Sequence, residues 1–492
     1  MDEPSGPAQA VTAESLNSLA DDKYAGARLF DWRWQAGIFA LALVVRGLHL
    51  WGESHSPFFS FRGIDALDYH QMALGMHDGT WPDHQPFFWA PLYPMFLGLL
   101  YGLVGQGALA LKAIQAVFGA LSCVLLYRVG RRLFAAPWIA AAAGVAMALY
   151  GTLVYFDGEL LSANLDVLFQ LLALELLLGA AVTRTTGRWT AAGVVMGLSV
   201  VNRGAILLLL PLAAAWTWCV MRRGWPVGPS RGATRERMGR AVQAVAGVVL
   251  PTVVTLGLAV AHNVRVDAAA SQGRMGLLPV AYNLGINFYL GNHWSLRDIN
   301  KTSHPRHFSH YDEIMQLPVD AGVTGAFAGS QYLFHRTLAD IRSDPGSWLR
   351  LMVHKLVELG QGREIPRSAN LYAHRHDSLV LRALLWKHVI AFPGGLVIPF
   401  GLVGLAAVLP QWRRHALVLL AIGTQAAFVL MFFVTARYRL PVMPLLLLYG
   451  VAAVGVLVSA WRRGAWGRFA ATSGAVAVLM VVCNWGVVPG DD

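Results

Sequence analysis

Apolar runs close to the length that crosses a bilayer recur along the whole chain. The first covers residues 34–51, and a polar stretch, 52–90, follows it. Residues 91–105 are apolar but begin with Pro91 and Pro94. Further runs occupy 109–129, 137–155, 160–182, 189–201, 205–220 and 241–261. A long polar segment spans 262–384, and four more apolar runs cover 385–409, 416–434, 441–460 and 469–488. A hydrocarbon core about 30 Å thick takes about 20 helical residues, so this pattern predicts an all-α polytopic bundle of about eleven spans. Between the runs lie basic turns: Arg128, Arg131 and Arg132; Arg184 and Arg188; the stretch 222–240; Arg413 and Arg414; Arg462, Arg463 and Arg468. Short cytoplasmic loops carry excess Lys and Arg. These turns fall on one side only if 91–105 does not cross, so that run is expected to be juxtamembrane or re-entrant. Segments 52–107 and 262–384 then lie outside, with the turns near Asp157, Arg203 and Arg437.

Composition supports the membrane reading. The 492 residues are 56% hydrophobic and only 14% charged, against about a quarter charged in a soluble chain. The net charge of +11 could suggest nucleic acid, but the basic residues sit in turns between apolar runs, which is an orientation signal. Cys123, Cys219 and Cys483 all fall in apolar runs and form no disulfide or zinc spacing. Residues 1–33 read as a disordered cytoplasmic tail without a cleavable signal, 34–488 as one transmembrane domain, and 489–492 as an external tail.

The external segments hold the groups that could do chemistry. Ala66, Tyr69, Met72, Ala73 and Met76 have helical spacing, which predicts an amphipathic helix at the membrane surface with Asp65 just ahead of its first turn. Outside the cytoplasm an activated group arrives on a lipid. Transfer then needs a carboxylate to take the acceptor proton and cations to hold a phosphate. Asp65 is the first candidate base and Asp68 the second; the plainer role for Asp65 is an N-cap. Arg437 and Arg439 at the outer end of a span, and Arg203 in a tight outer turn, suit phosphate, though snorkelling arginines are the alternative. Arg46, Lys112 and Asp166 read as charges near span ends, and Glu175 as a deeper group with a buried partner. The histidines of the long segment, closest at His304, His307 and His310, show no metal-ligand pattern.

At this point the residues resemble a known family. Phe87-Phe88-Trp89-Ala90-Pro91-Leu92-Tyr93-Pro94 is similar to a signature of bacterial GT-C glycosyltransferases, the family 39-like membrane enzymes related to protein O-mannosyltransferases and aminoarabinose transferases. The ordered set includes Asp65-Ala66, Gly130-Arg131-Arg132-Leu133-Phe134 and Tyr155-Phe156-Asp157-Gly158-Glu159. It continues with 283–292, Glu364-Ile365-Pro366 and 436–441. The resemblance implies a GT-C bundle with juxtamembrane helices and a large external loop. It implies inverting transfer of a sugar, hexosyl or pentosyl, from a polyprenyl-phosphate donor to an acceptor hydroxyl on lipid, protein or glycan. Asp65 would be the base, and Arg203, Arg437 and Arg439 would hold the phosphate. Asp68, Tyr69, Tyr93, Asp157, Glu159, Asn263, Asn283, Asn287, Tyr289, Asn292, Glu364 and Tyr438 would line the sugar or acceptor pocket. The lipid-linked sugar is a co-substrate, no cofactor is implied, and a divalent metal stays open. The expected location is the bacterial inner membrane with the site facing the periplasm.

This chain departs from the pattern at His262-Asn263, where the family often has Arg-Asn, and at Arg363, where an aromatic residue commonly precedes Glu-Ile-Pro. The chain is also expected to carry no separate soluble domain after the last span. The rival functions are a polytopic lipid or glycan transporter, which would more often show internal repeats, and a ligase or polymerase using a lipid-linked glycan.

Overall fold

The computed structural model describes residues 31–57, 59–60, 63–82, 86–225, 234–270, 280–296, 307–367 and 370–486. Residues 1–30 of the expected tail 1–33, the expected tail 489–492 and the side chains of His304, His307 and His310 lie outside the described residues, while the first helix already begins at Trp32 within the first of these tails.

Every predicted apolar run is occupied by helix. In chain order these are α1 (Trp32–Glu53), α2 (Ile64–His77), α3 (Leu92–Val104), α4 (Ala108–Leu133), α5 (Pro137–Ala148), α6 (Gly151–Asp157), α7 (Ala163–Thr183) and α8 (Thr186–Asn202). A 3-10 turn (Gly204–Leu208) leads into α9 (Leu209–Arg223), and α10 (Thr234–Ala270) follows. The long polar segment contains α11 (Leu284–Gly291), α12 (His307–Asp320), α13 (Ala326–Ser343), α14 (Pro345–Gly360) and α15 (Leu379–Leu384). A small hairpin, β1 (Trp386–Lys387) and β2 (Ala391–Phe392), precedes α16 (Gly394–Val408), α17 (Trp412–Met431), α18 (Ala436–Arg439), α19 (Met443–Arg462) and α20 (Trp466–Asn484).

By length and composition, eight helical stretches among the described residues can cross a membrane, and nine if the bent pair α5 and α6 counts as one. The stretch Gly394–Met431 holds two of the predicted runs, α16 and α17. Helix α8, with 17 residues, accounts for the remaining run. The molecule is an all-α, multi-pass membrane protein.

The boundaries differ from the apolar runs in three places. The run 137–155 is broken, and its two helices meet at 57°. The run beginning at 385 opens with the hairpin, whose Trp386 and Phe392 rings stack at 4.3 Å; Pro393 ends the hairpin and stands at the N-cap of α16. Helix α10 continues past His262 to Ala270. Polar side chains end an apolar run but not a helix, so hydropathy placed that boundary early.

The contacts between helices alternate ends as the turn charges require. At one end of the bundle Arg128 and Arg132 both donate to Glu175, at 2.9 and 2.6 Å, which gives Glu175 a buried partner in Arg132 and a half-buried one in Arg128. At the other end Glu53, at the close of α1, meets His374 at 3.0 Å, and Gln170 of α7 donates to the Pro441 carbonyl at 2.8 Å before α19. Helix α3 stays at this second end. Tyr93 near its start donates to Gln115 at 2.6 Å, and Tyr101 near its close pairs with His70 of α2 at 2.7 Å. Its 13 residues rise about 20 Å, short of the hydrocarbon core.

Close helix packing rests on small residues, as expected where lipid supplies no hydrophobic drive between helices. A Cβ on Gly404 of α16 would overlap the Tyr449 carbonyl of α19, and one on Gly193 of α8 would overlap the Gly247 carbonyl of α10. Helix α14, capped by Asp344 through the Ser347 amide at 3.0 Å, is pinned by Lys355. That ammonium donates to the Leu430 and Phe432 carbonyls at 2.8 and 2.6 Å, at the close of α17.

Candidate active site

At the end of the bundle away from the arginine-rich turns, charged groups from distant parts of the chain meet out of water. Gly63 is the N-cap of α2, with no side-chain cap bond. Asp65 therefore stands inside the first turn and does not cap it. It is buried, and its Oδ2 accepts from Arg437 Nη1 at 2.5 Å. Burial pushes its carboxyl upward, but the opposing charges of Arg437 and Arg367 prevail and hold it below the usual carboxylate range. Arg437 is raised in turn by Asp65, against the effect of burial.

The aromatic-proline motif explains how α2 is held. Tyr69, one turn beyond Asp65, packs edge-on against Trp89 at 5.8 Å and Tyr93 at 5.0 Å. Trp89 donates to Asp68 at 3.0 Å. Gln115, which accepts from Tyr93, donates to the Glu159 carbonyl at 2.6 Å and the Asp157 carbonyl at 3.2 Å. The motif thus ties α2 to α4 and to the turn after α6. Asn263 completes the brace: it accepts from the Phe87 amide at 2.9 Å and donates to the Val280 carbonyl at 3.0 Å, while His262 stacks on Phe87 at 4.4 Å.

A second brace holds the Glu364-Ile365-Pro366 segment. Arg439 donates to the Gln361 and Arg363 carbonyls at 2.6 and 2.8 Å and to Glu364 Oε2 at 2.7 Å. Thr152 donates to Glu364 Oε1 at 2.9 Å, and the Ala436 amide donates to the Ile365 carbonyl at 2.9 Å. These bonds occupy Arg439 and Glu364 and deliver the next residue, Arg367, to the same space as Arg437. Arg367 lies over the Phe433 ring at 3.9 Å, and its Nη1 is buried without a hydrogen-bond partner. Burial lowers its pKa.

Between these braces is a cavity of ≈270 Å³, lined among others by Gly63, Ala66, Glu159, Arg367, His374 and Arg437. Arg203 borders a separate, smaller cavity of ≈20 Å³. It pairs with Asp166 at 2.8 Å and lies over the Tyr438 ring at 4.7 Å. Tyr438 has its pKa lowered: burial raises it, and Arg367, Arg437 and Arg203 together outweigh burial.

The structure brings together Asp65, Asp68, Tyr69, Tyr93, Glu159, Arg437 and Tyr438, with Arg203 alongside. Asp157 is buried against Arg46 at 2.7 Å and also accepts from Asn164. Arg46 is therefore not a snorkelling residue; it is 1% exposed and neutralised inside the bundle. Asn283, Asn287, Tyr289 and Asn292 sit at and along α11 and do not line the larger cavity. Asn292 donates to the Met431 carbonyl at 2.8 Å and accepts from Trp348 at 3.1 Å, so it ties α11 and α14 to the end of α17. Among the described residues, no group of three or more His, Cys, Asp or Glu side chains comes together to hold a metal.

Reading the sequence missed Arg367, Glu53 and His374. Arg367 follows the Glu-Ile-Pro motif directly, and that position was the available signal. Nothing in the sequence joins Glu53 to His374.

Comparisons with known proteins found a family model and several solved structures that this chain is similar to. Residues 84–227 match a family model described as dolichyl-phosphate-mannose-protein mannosyltransferase. No curated protein matches the chain. Among solved structures, the apo oligosaccharyltransferase of Archaeoglobus fulgidus is 13% identical with a TM-score of 0.47, covering 93% of this chain and 57% of its own. The oligosaccharyltransferase AglB of that organism, in complex with an inhibitory peptide and a dolichol-phosphate, is 14% identical with a TM-score of 0.45, over 92% and 55%. ArnT from Cupriavidus metallidurans, bound to undecaprenyl phosphate, is 16% identical with a TM-score of 0.33, over 87% and 79%. The chain thus spans a little over half the length of the archaeal enzyme. The resemblance to GT-C membrane glycosyltransferases read from the ordered motifs is met independently, over 84–227, by the mannosyltransferase family model.

Proposed function

We propose that this protein transfers a sugar from a polyprenyl-phosphate carrier to an acceptor hydroxyl, with inversion, on the outer face of a bacterial inner membrane. The observation that carries the reading is that Arg437 and Arg367 line a cavity at one end of a membrane bundle, with Asp65 directly behind them, paired to Arg437 at 2.5 Å, and with the buried Arg367 Nη1 lacking a hydrogen-bond partner. Arg437 and Arg367 share the one Asp65 carboxylate, which leaves an excess of positive charge out of water that an anionic phosphate would neutralise. The likeness over 84–227 to a family named for a lipid-phosphate sugar donor points the same way.

In this reading the acceptor oxygen attacks the anomeric carbon, and the bond from that carbon to the phosphate oxygen breaks. The electron pair leaves on the phosphate, where Arg437 and Arg367 offset the growing charge. The acceptor proton passes to the Asp65 carboxylate. In the free protein Arg437 holds that carboxylate low and makes it a weak base. A phosphate that draws Arg437 away would remove the restraint, so Asp65 gains basicity when the donor is in place. Arg203 acts beside them through Tyr438. The sugar, and with it a hexosyl or pentosyl preference, follows from a donor panel.

The test is transfer from a panel of polyprenyl-phosphate sugars by purified protein. Wild type turns over at least one donor, and Asp65→Asn, folded to the same degree, loses about 10²–10⁴-fold. Full turnover in Asp65→Asn would remove Asp65 as base. A panel-wide failure, with no binding of polyprenyl phosphate either, would remove the reading.

A further inference from the structure

The charges lining the cavity fall into two groups, one acting on Asp65 and one on Glu159, which we take as its two ends. Arg367 and Arg437 make one of them cationic. The other is walled by Tyr155 and Phe156 and carries Glu159 and His374, which the proposed mechanism does not use.

Three observations mark that second end as built for a neutral, hydroxyl-bearing ligand. Glu159 is only loosely paired: its nearest cation is Lys112 at 4.0 Å, beyond hydrogen-bond reach, and Lys112 also faces the Phe59 ring at 4.4 Å. Its carboxylate oxygens can accept from a ligand. His374 is held by one nitrogen, with Nδ1 3.0 Å from Glu53 Oε2 and its ring edge-on to Tyr155 at 5.0 Å. That bond orients the ring and turns Nε2 to the role of donor or acceptor. Glu53 itself is 4% exposed, and its Oε1 is buried with no hydrogen-bond partner. Buried polar atoms are as a rule satisfied, so this open acceptor, one contact behind the cavity through His374, calls for a hydroxyl or a water. An acid and an imidazole between aromatic walls match a sugar ring, whose hydroxyls need partners of both kinds and whose C–H faces pack on rings.

We propose that Glu159 and His374 form the sugar subsite of the cavity, gripping the ring hydroxyls of the donor while the arginines hold its phosphate, and that Glu53 is a positioning residue for His374. The proposal rests on the lipid-phosphate-sugar reading above. It assigns the donor's two halves to the two ends.

The subsite also carries a pH signature. The groups facing His374 are Glu53 and His49 from α1, Glu159 from the turn after α6, Lys112 from α4 and the Tyr155 ring from α6. Burial lowers the His374 pKa, but the bond to Glu53 and the charges of Glu159 and Glu53 outweigh it and raise the pKa above the ordinary value. His374 is a doubly protonated donor below that raised value and loses one proton as pH climbs through it.

The deciding experiment measures binding to detergent-purified full-length protein of two kinds of probe. One is bare undecaprenyl phosphate; the others are undecaprenyl phosphate carrying mannose, glucose or arabinose. Wild type is expected to bind at least one loaded lipid at least tenfold more tightly than the bare one. Glu159→Gln and His374→Asn should each remove most of that advantage while leaving affinity for the bare lipid unchanged, which also shows that the variants fold. The wild-type advantage should shrink as pH rises above 6.5 and be flat with pH in His374→Asn. An undiminished, pH-dependent advantage in both variants would overturn the subsite, as would equal wild-type affinity for bare and loaded lipids; in either case the lipid-phosphate reading stands. Binding of no probe by wild type would overturn both.

Discussion

At the scale of single residues, the site is organised by a carboxylate and a guanidinium 372 positions apart in sequence. Removing one member of such a buried pair strands the other, which costs about 3–5 kcal/mol. Arg437→Gln should therefore lower the thermal midpoint in detergent more than the double change Asp65→Asn with Arg437→Gln adds to it. A double change as harmful as the summed singles would show that the two do not interact. The pair also has a pH signature of definite sign. Asp65 has a folded pKa below its unfolded value, so its contribution is present above about 3.8 and disappears as pH falls through the lower, folded value. Acid unfolding of wild type should include this proton uptake, and Asp65→Asn should lack it. Arg46 and Asp157 pose the same problem within the bundle, and here the space is made by Gly119. A Cβ there would collide with the Asp157 carboxylate and the Arg46 guanidinium. Gly119→Ala is expected to cost about 1–3 kcal/mol by overpacking and to destabilise despite alanine's better helix propensity; a stabilised variant would contradict the geometry.

Elements decide where these residues point. Asp65 looked like a helix cap because Asp is common before a first turn, but Gly63 holds that position and frees Asp65 for Arg437. The aromatic-proline motif turns out to be a brace from α2 through α3 to α4. Its members could be read in sequence, but their partners Gln115 and Asn263 carry no local mark of that role. Among the spanning elements, α16 approaches α19 closely at Gly404 and α8 approaches α10 closely at Gly193. Gly404→Val should separate α16 from α19 and lower the thermal midpoint, whereas Gly423→Val on α17, where a Cβ meets nothing within 4 Å, should leave it nearly unchanged. Equal effects at the two positions would show that close approach is not what Gly404 provides.

For the whole molecule, the alternation of ends implies one orientation. Ser54, just after α1, and Arg413, in a basic turn, lie at opposite ends of the bundle. Single cysteines introduced there, in a background without Cys123, Cys219 and Cys483, should label from opposite sides in intact cells and spheroplasts, with position 54 reached from outside. Labelling from the same side would mean that α3 crosses. Hydropathy along the chain determined that this is a helical membrane protein, and the placement of arginines determined which turns share a side. Both signals are local: burying apolar helix in lipid and keeping cations in the cytoplasm act on each segment by itself. Motif order likewise carried the family resemblance and pointed to Asp65, Arg203 and Arg437. The pairing of buried charges was decided only by the tertiary structure. A buried ion needs a counter-ion within a few ångströms, and the chain can supply it from any distance in sequence. Sequence therefore showed that Glu175 needs a partner but could not say that Arg128 and Arg132 provide it, and it placed Arg46 near a span end rather than against Asp157. For the same reason it left Arg367, Glu53 and His374 unmarked until folding set them around one cavity.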